Sequence, residues 1–306
     1  MLRLDGVSKS FGERQVLDRV SFSVAPGNLT GFVGGNGAGK TTTMRIILGV
    51  LGANTGAVTL DGRPLEARRR RRFGYMPEER GLYPKMRAAE QLAYLARLHG
   101  FDRGAANRRA RALLERLGLE ERADDALESL SLGNQQRVQI AAALVHDPEV
   151  LILDEPFSGL DPLAVEVVLG VLAEYADRGV PVLFSSHQLD LVERLCDELV
   201  IIAGGQIRAT GTREQLRKQW GVRRHELASA VDVGWVRDVP GVRVVEFDRG
   251  NALFEAADEV AQQVLSLAVQ RGPVLRFGPV VASLSEIFKD VVTDDVAPHQ
   301  TEEVAA

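Results

Sequence analysis

The sequence predicts an α/β fold whose core is a parallel β-sheet, and three stretches of the chain support this prediction. Residues 29–33 form a short, mostly apolar run, followed by the glycine-rich segment GGNGAGKTT at 34–42 and by residues that can continue as a helix. Residues 150–153 (VLIL) and 180–184 (VPVLF) are apolar runs with little polar alternation. Strands that helices cover on both faces have this character, so we expect both runs to lie in a buried parallel sheet.

The amino-terminal part predicts an antiparallel β subdomain that leads into the glycine-rich segment. Apolar and polar residues alternate through residues 1–30, with turn signals at Gly12 and at Pro26-Gly27. A further strand and turn are predicted at 58–62, where Val-Thr-Leu precedes Asp-Gly. Alternation with a period of two, interrupted by glycine and proline, is typical of paired strands with one buried face.

The middle of the chain predicts a helical subdomain at about 84–145. Apolar residues recur at helical spacing from Ala88 to Leu119. Gly100 and Gly118 are placed to end helices within that stretch. The segment LSLGNQQR at 130–137 is expected to open a further helix.

Beyond residue 198 the pattern changes, and after about residue 220 it predicts a second, smaller α+β module. We expect a hairpin at 199–209, a closing helix at 212–220, strands at 242–247 and 252–255, a helix at about 258–270, and a last helix after the capping-box pattern Ser283-Leu-Ser-Glu286. The predicted domains are residues 1–220, a small domain at 221–293, and an acidic tail at 294–306 that we expect to be disordered.

Composition and charge exclude several classes of protein. The net charge of −5 comes from 37 basic and 42 acidic residues and argues against a surface that coats nucleic acid. The five arginines at 68–72 could bind nucleic acid or lipid, but a solvated face of a short helix is the favoured alternative. The single cysteine, Cys196, rules out an intramolecular disulfide and fits a reducing compartment.

Nothing in the sequence predicts a membrane-spanning segment. No apolar stretch approaches the ~20 residues that cross a bilayer. The first residues, MLRLDGVSKSF, lack the apolar core of a signal peptide. We therefore expect any membrane role to be peripheral and to depend on a partner.

The glycine-rich segment predicts a phosphate-binding loop, because a strand precedes it and a helix follows it. Gly34, Gly37 and Gly39 allow several backbone N–H groups to point into one hollow, and the helix adds its positive dipole end. Lys40 would then reach the β- and γ-phosphates, and the Thr41 hydroxyl would ligate Mg²⁺. The candidate nucleotide-binding residues of the loop are Gly34, Gly35, Asn36, Gly37, Ala38, Gly39, Lys40, Thr41 and Thr42. A glycine-rich turn with an exposed lysine is the alternative, and the loop alone does not separate kinase, GTPase, helicase and transport ATPase.

Two further stretches carry candidate chemistry. The buried strand VLIL ends in Asp154 and Glu155, which are candidates for holding Mg²⁺ opposite Thr41 and for orienting or deprotonating the attacking water. In LSLGNQQR, Ser131 and Gly133 would present a hydroxyl and backbone N–H groups to an anion. Alone, that segment is equally consistent with an ordinary N-capped helix.

Taken together, these segments resemble the nucleotide-binding subunit of ATP-binding-cassette (ABC) transporters. The resemblance covers about residues 1–220 and rests on GGNGAGKTT, LSLGNQQR, VLILDEP, Ser158-Gly-Leu-Asp161 and Ser185-Ser-His187. It implies a P-loop NTPase cassette that binds ATP and Mg²⁺. It also implies a head-to-tail homodimer, or a pairing with another ABC subunit, with two ATP molecules held between the loop of one chain and the LSLGNQQR helix of the other.

The resemblance also implies roles for individual residues. Ser131, Gly133 and Gln135 would contact the γ-phosphate in the other subunit's site, and Asp161 would couple the two sites. His187 would bond the γ-phosphate and the water near Glu155, as a catalytic residue beside Glu155 and Lys40. Phe11 would stack on adenine, although a core aromatic residue is a serious alternative.

Two departures point to a branch of the family. Glu78 stands where the family commonly has a glutamine that senses Mg²⁺ and touches the membrane partner. The resemblance therefore implies Glu78 as a third metal-site residue, with Thr41 and Asp154. Leu132 and Asn134 replace the more usual Gly and Gln of the LSLGNQQR segment. Both resemble the efflux branch that includes sodium-export and multidrug-type ATPases, whose small C-terminal domain residues 221–293 also resemble. A carboxylate at Glu78 adds negative charge near the γ-phosphate and could slow turnover unless Mg²⁺ compensates.

The resemblance implies an ATPase that drives a separate integral membrane permease from the cytoplasmic face of the membrane. The acidic charge balance leads us to expect no nucleic-acid partner. ATP binding would close the dimer, hydrolysis would open it, and residues 78 to about 98 would pass the motion to the partner. One alternative is a soluble ABC ATPase acting on ribosomes or nucleic acid. Another is a regulatory module that binds ATP without hydrolysing it.

Overall fold

The computed structural model describes residues 1–79, 81–220, 223–280 and 285–288. They fall into two compact units, the first running from Met1 to Arg213 and the second beginning at Glu214. The predicted tail at 294–306 lies outside the described residues, as does Ser283 of the predicted last helix.

The first unit alternates strands and helices along most of its length. Its strands are β1 (Leu2–Phe11), β2 (Arg14–Val24), β3 (Leu29–Val33), β4 (Thr55–Leu60), β5 (Arg63–Pro64), β6 (Phe73–Met76), β7 (Val150–Leu153), β8 (Val182–Ser186), β9 (Glu198–Ala203) and β10 (Gln206–Thr212). Its helices are α1 (Lys40–Ile47), α2 (Ala67–Arg70), α3 (Ala88–Leu98), α4 (Arg103–Arg116), α5 (Leu132–Leu144), α6 (Pro162–Asp177) and α7 (Leu189–Leu195), and α8 (Arg213–Trp220) begins at the unit boundary.

A six-stranded sheet forms the centre of this unit, in the order β10-β9-β3-β8-β7-β6. The pairs β6–β7, β7–β8, β8–β3 and β3–β9 are parallel, and β10 returns antiparallel to β9. Every residue of β3, β7 and β8 is buried. The predicted parallel sheet is therefore confirmed. Since parallel strands end at the same edge, the segments after β3, β7 and β8 meet there.

The predicted antiparallel subdomain is confirmed as a second sheet, in the order β2-β1-β4-β5. Side chains on one face of β1 and β2, such as Leu4 and Val20, are buried, whereas their neighbours are exposed. The buried face joins α1 and the parallel sheet in one apolar cluster that includes Met44 and Ile152. This packing fixes the loop between β3 and α1 against β2.

The predicted helices of the middle segment are also confirmed. Asp102 caps α4 by accepting a hydrogen bond from Ala105 N at 2.9 Å. Gly100 and Gly118 follow α3 and α4 in the left-handed region, with φ of 95° and 67°. Within the parts of the chain that the structure describes, no helix has both the length and the apolar character that a bilayer crossing requires.

The arginine run at 68–72 has acidic partners within the chain. Arg69 contacts Asp61 at 2.7 Å and Glu149 at 3.2 Å, and Arg72 also pairs with Glu149. The guanidinium Nε of Arg70 donates to Ile47 O at 3.0 Å. These contacts join α2 to neighbouring elements, so the run is only in part a solvated face.

The second unit contains an antiparallel sheet covered by one long helix. Its elements are β11 (Arg224–Ser229), β12 (Arg243–Asp248), β13 (Asn251–Glu255), α9 (Asp258–Arg271) and β14 (Val274–Val280), with the sheet order β12-β13-β11-β14. The strands predicted at 242–247 and 252–255 and the helix predicted at about 258–270 are confirmed as β12, β13 and α9. The hairpin predicted at 199–209 is confirmed in the first unit as β9 and β10. The sequence analysis missed β11, β14 and a 3₁₀ turn at Gly234–Asp238.

Candidate functional site

The glycine-rich loop lies between the end of β3 and the first residue of α1, as predicted. Gly39 caps α1 with φ of 111°, and a Cβ atom there would lie 2.5 Å from Cδ2 of Leu17. Its dihedral angle therefore favours glycine, and any larger residue would also displace the Leu17 side chain. Thr43 Oγ1 donates to Gly39 O at 2.8 Å, which secures the first turn of the helix. The amino-terminal N–H groups of α1 and their positive dipole end lie at this loop.

Lys40 places a positive charge inside the loop. Its side chain is 9% exposed, and its Nζ donates to Gly34 O at 2.7 Å and to Gly35 O at 3.3 Å. The ammonium group is thus held by backbone carbonyls next to the N–H groups of the same loop. This combination of donors suits a polyphosphate.

Asp154 connects the ends of three elements. It is 1% exposed, its Oδ2 accepts from Thr41 Oγ1 at 2.9 Å, and its Oδ1 accepts from Ser185 Oγ at 2.5 Å. Burial, and secondly the charge of Asp154, raises the pKa of Tyr75. The carboxylate and the threonine hydroxyl are oxygen ligands of the kind that Mg²⁺ prefers. Across the described ranges no cluster of three or more His, Cys, Asp or Glu side chains could hold a metal.

Glu155 is held in an uncommon backbone conformation beside His187. Its φ of 53° lies in the left-handed region, which is costly for a residue other than glycine. Its N–H donates to Ser185 Oγ at 2.8 Å, and its C=O accepts from Gln136 Nε2 at 3.0 Å. His187 Nδ1 lies 3.0 Å from Glu155 Oε1. A carboxylate paired with an imidazole is an arrangement that can orient and deprotonate water.

These groups surround one cavity of about 600 Å³. It is lined by Phe11, Arg14, Val16, Gly35, Asn36, Gly37, Ala38, Gly39, Lys40, Thr41, Thr42, Glu78, Asp154, Glu155 and His187. Phe11 is 51% exposed, so the alternative that it is a core aromatic residue is wrong. The sequence analysis missed Arg14 and Val16. Arg14 pairs directly with Phe11 across the β1–β2 hairpin, and that register is the signal that places it in the cavity.

The residues expected to act in the other subunit's site do not line this cavity. Ser131 caps α5 and accepts from Asn134 N at 3.3 Å, and Gln135 Nε2 donates to Leu130 O at 2.9 Å. Asp161 caps α6 by accepting from Ala164 N at 2.8 Å. Gly133 lies in the first turn of α5, where a Cβ would lie 3.1 Å from Gly159 O. Within a single chain, the amino-terminal end of α5 therefore does not line the cavity that contains the phosphate loop.

Comparison with family models assigns both parts of the chain. A model described as "ABC transporter" matches residues 17–158. A model described as the C-terminal domain of DrrA1-3-like ATP-binding proteins matches residues 211–292. The first match contains the loop, the start of α5 and the Asp154–Glu155 pair.

Similar proteins lead to the same family. The chain is 37% identical over 293 residues to the uncharacterized ABC transporter ATP-binding protein YhaQ of Bacillus subtilis (strain 168), covering 95% of this chain and 98% of that protein. It is 35% identical over 303 residues to the Nod factor export ATP-binding protein I of Ralstonia nicotianae, covering 94% and 92%. A dimeric bacterial ABC transporter cassette has the same fold, with a TM-score of 0.64 at 24% identity over 69% of this chain and 98% of that one. The chain therefore belongs to the family of ABC transporter ATP-binding proteins.

Proposed function

We propose that this chain is the ATP-hydrolysing subunit of an ABC exporter and drives a separate membrane subunit through ATP-dependent dimerisation. The observation that carries the proposal is the cavity itself. Lys40, the Thr41–Asp154 pair and the Glu155–His187 pair come from three separate segments and line one cavity. A module that only bound nucleotide would have no need of the last pair.

The residues of the cavity divide the work of hydrolysis among them. Lys40 and the N–H groups of 34–42 bind the phosphates, and Phe11 stacks on the adenine. Thr41, Asp154 and Glu78 would hold Mg²⁺, which when bound would neutralise charge that develops on the phosphates. Glu155 accepts the proton of the attacking water, and His187 orients the carboxylate and bonds the γ-phosphate. Catalysis of phosphoryl transfer consists largely of positioning and charge stabilisation, and these residues contribute to both.

We further propose that the second half of each site comes from a paired subunit. The exposure of Ser131 supports this assignment, because the cap of α5 lies away from its own chain's cavity. Ser131, Gly133 and Gln135 would bind the γ-phosphate held by the partner, and Asp161 would connect the two sites. The dimeric cassette of the same fold supports a dimer as the working form.

The proposed place of action is the cytoplasmic face of a membrane, where the chain binds an integral permease. The name of the Nod factor export relative supports an export role. The match of residues 211–292 to an accessory C-terminal domain of ATP-binding proteins supports the same branch. Glu78 lines the cavity and begins the segment proposed to contact the permease, so it would link the nucleotide to the partner.

Two variants of the full chain test the proposal. Glu155→Gln should retain ATP binding, lose turnover and accumulate a closed dimer in size-exclusion chromatography. Lys40→Ala should weaken ATP binding itself. Phosphate release by Glu155→Gln at the wild-type rate would remove Glu155 from its role, and a single-turnover assay without product from the wild type would contradict hydrolysis altogether.

A further inference from the structure

Two glutamines on one face of α5 are buried almost completely. Gln136 is 5% exposed and Gln139 is 4% exposed, and they lie three residues apart, one above the other on the helix. A side-chain amide is costly to bury unless its hydrogen bonds are made within the protein. The hydrogen-bond partners of these two amides therefore identify the backbone segments that α5 fixes in place.

Gln136 holds the backbone that carries Glu155. Its Nε2 donates to Glu155 O at 3.0 Å and to Pro156 O at 3.1 Å, which occupies both amide hydrogens. The N–H of Glu155 is bound on its other side by Ser185 Oγ. Two side chains, one from α5 and one from β8, thus fix the N–H and the C=O of a residue in the left-handed conformation. Such a conformation persists only where its surroundings impose it.

Gln139 holds a second loop of the same cavity in the same manner. Its Nε2 donates to Pro77 O at 2.7 Å and to Glu79 O at 3.2 Å. These two carbonyls flank Glu78, whose side chain lines the cavity. The two loops are themselves joined, because Asp154 N donates to Met76 O at 2.8 Å.

We propose that Gln136 and Gln139 are positioning residues for ATP hydrolysis, which fix the Glu155 loop and the Glu78 loop to helix α5. The inference rests on the proposed function of Glu155. Helix α5, which Ser131 caps, would then move together with both loops. A displacement at its amino terminus moves the Glu155 carboxylate and the Glu78 carboxylate together.

The test is steady-state ATP hydrolysis by full-length variants. Gln136→Met keeps the length of the side chain but has no N–H to donate, so it should lower kcat at least tenfold and leave the KM for ATP within twofold. Gln139→Met should raise the Mg²⁺ concentration for half-maximal turnover at least threefold, because Glu78 is no longer held. Val138→Ala is the matched control, since it removes buried apolar atoms from the same helix and touches neither loop through a side-chain hydrogen bond.

If Gln136→Met does not fold, a second variant at the same position tests the inference. Gln136→Glu presents a carboxyl group to the two carbonyls, and it can donate only when protonated. The ratio of its kcat to that of the wild type should therefore rise at least threefold between pH 8 and pH 6. A constant ratio would overturn the inference.

The remaining outcomes separate this inference from the proposed function. An unchanged kcat in Gln136→Met, while Glu155→Gln is inactive, overturns the inference alone. So does an equal fall of kcat in Val138→Ala and Gln136→Met at matched thermal stability, because packing would then explain both. Equal phosphate release by the wild type and Glu155→Gln overturns the proposed function, and this inference with it.

Discussion

Oε1 of Glu155 lies 3.0 Å from Nδ1 of His187, although the two residues follow different strands of the parallel sheet. Glu155 comes just after β7 and His187 just after β8. Their pairing is a product of strand order, because the ends of adjacent parallel strands meet at one edge. The carboxylate is mostly buried and the imidazole is largely exposed, with side-chain exposures of 12% and 56%.

The first prediction concerns this pair. His187→Ala should lower the rate of phosphate release about 100-fold or more, because a positioned acid–base group contributes on that order. The affinity for ATP should change little, since Lys40 and the loop N–H groups remain. Phosphate release and nucleotide binding, measured on the same preparation, check both statements. Retention of wild-type turnover would show that Glu155 needs no imidazole.

The second prediction concerns the backbone of the phosphate loop. Gly39→Ala should destabilise the protein by about 1–3 kcal/mol, because alanine is strained at φ of 111° and its Cβ meets Leu17. It should also weaken nucleotide binding. Gly170→Ala, on an exposed turn of α6 where a new Cβ meets nothing within 4 Å, is the matched control. That variant should be more stable than the wild type by about 0.5–1 kcal/mol in urea unfolding. A Gly39→Ala variant that is as stable as Gly170→Ala would contradict the prediction.

The third prediction concerns Phe11. Phe11→Ala should weaken ATP binding by about 1–3 kcal/mol, which is roughly five- to 150-fold in Kd, because an aromatic platform for the base is lost. Binding of inorganic triphosphate should not change, since it has no base to stack. Phe11→Trp should keep the affinity for ATP. If alanine weakens ATP and triphosphate equally, the ring acts on the loop and not on adenine.

The fourth prediction concerns pH. His146 stacks on His99 with ring centroids 3.9 Å apart, and its Nε2 lies 3.2 Å from Phe73 O. Burial, followed by the charge of His99, lowers the pKa of His146 from 6.5 to about 4, and Arg109 and Asp147 make smaller contributions of opposite sign. Between these values the unfolded chain holds a proton that the folded protein does not. The free energy of unfolding therefore falls as the pH is lowered from 6.5 to about 4, by at most about 1.4 kcal/mol per pH unit from this group.

The measurement is urea unfolding at intervals between pH 4 and 7.5 for the wild type and for His146→Gln. Glutamine can still donate to Phe73 O but does not titrate, so the variant should lose less stability than the wild type across the window. Above pH 6.5 the two curves should run parallel. Identical slopes throughout would show that burial does not perturb this imidazole.

The sequence predicts the parts of the site that lie on single segments. Lys40 and Thr41 follow a glycine-rich loop, and Asp154 and Glu155 end an apolar strand, so local pattern and the rule for parallel strands bring them together. Arg14 was not predicted because its place depends on the register of the β1–β2 hairpin. Composition alone does not reveal a register.

The second unit contains two strands, β11 and β14, that the local sequence pattern does not predict. β11 is Arg-His-Glu-Leu-Ala-Ser, and β14 contains Gly278 and Pro279. These residues have little intrinsic preference for strands. Both segments become strands because they pair with each other, and β11 also pairs with β13. Tertiary pairing overrides propensity here, and it involves residues far apart in the chain.

The sheet order β10-β9-β3-β8-β7-β6 has a consequence for synthesis of the chain. The strand that supports Gly34 is flanked by β8 and β9, both of which are translated long after it. The loop therefore emerges from the ribosome well before the neighbours that hold its supporting strand exist. A nascent chain halted before residue 182 should thus be unable to retain ATP, and it exposes an unpaired apolar strand for as long as elongation takes.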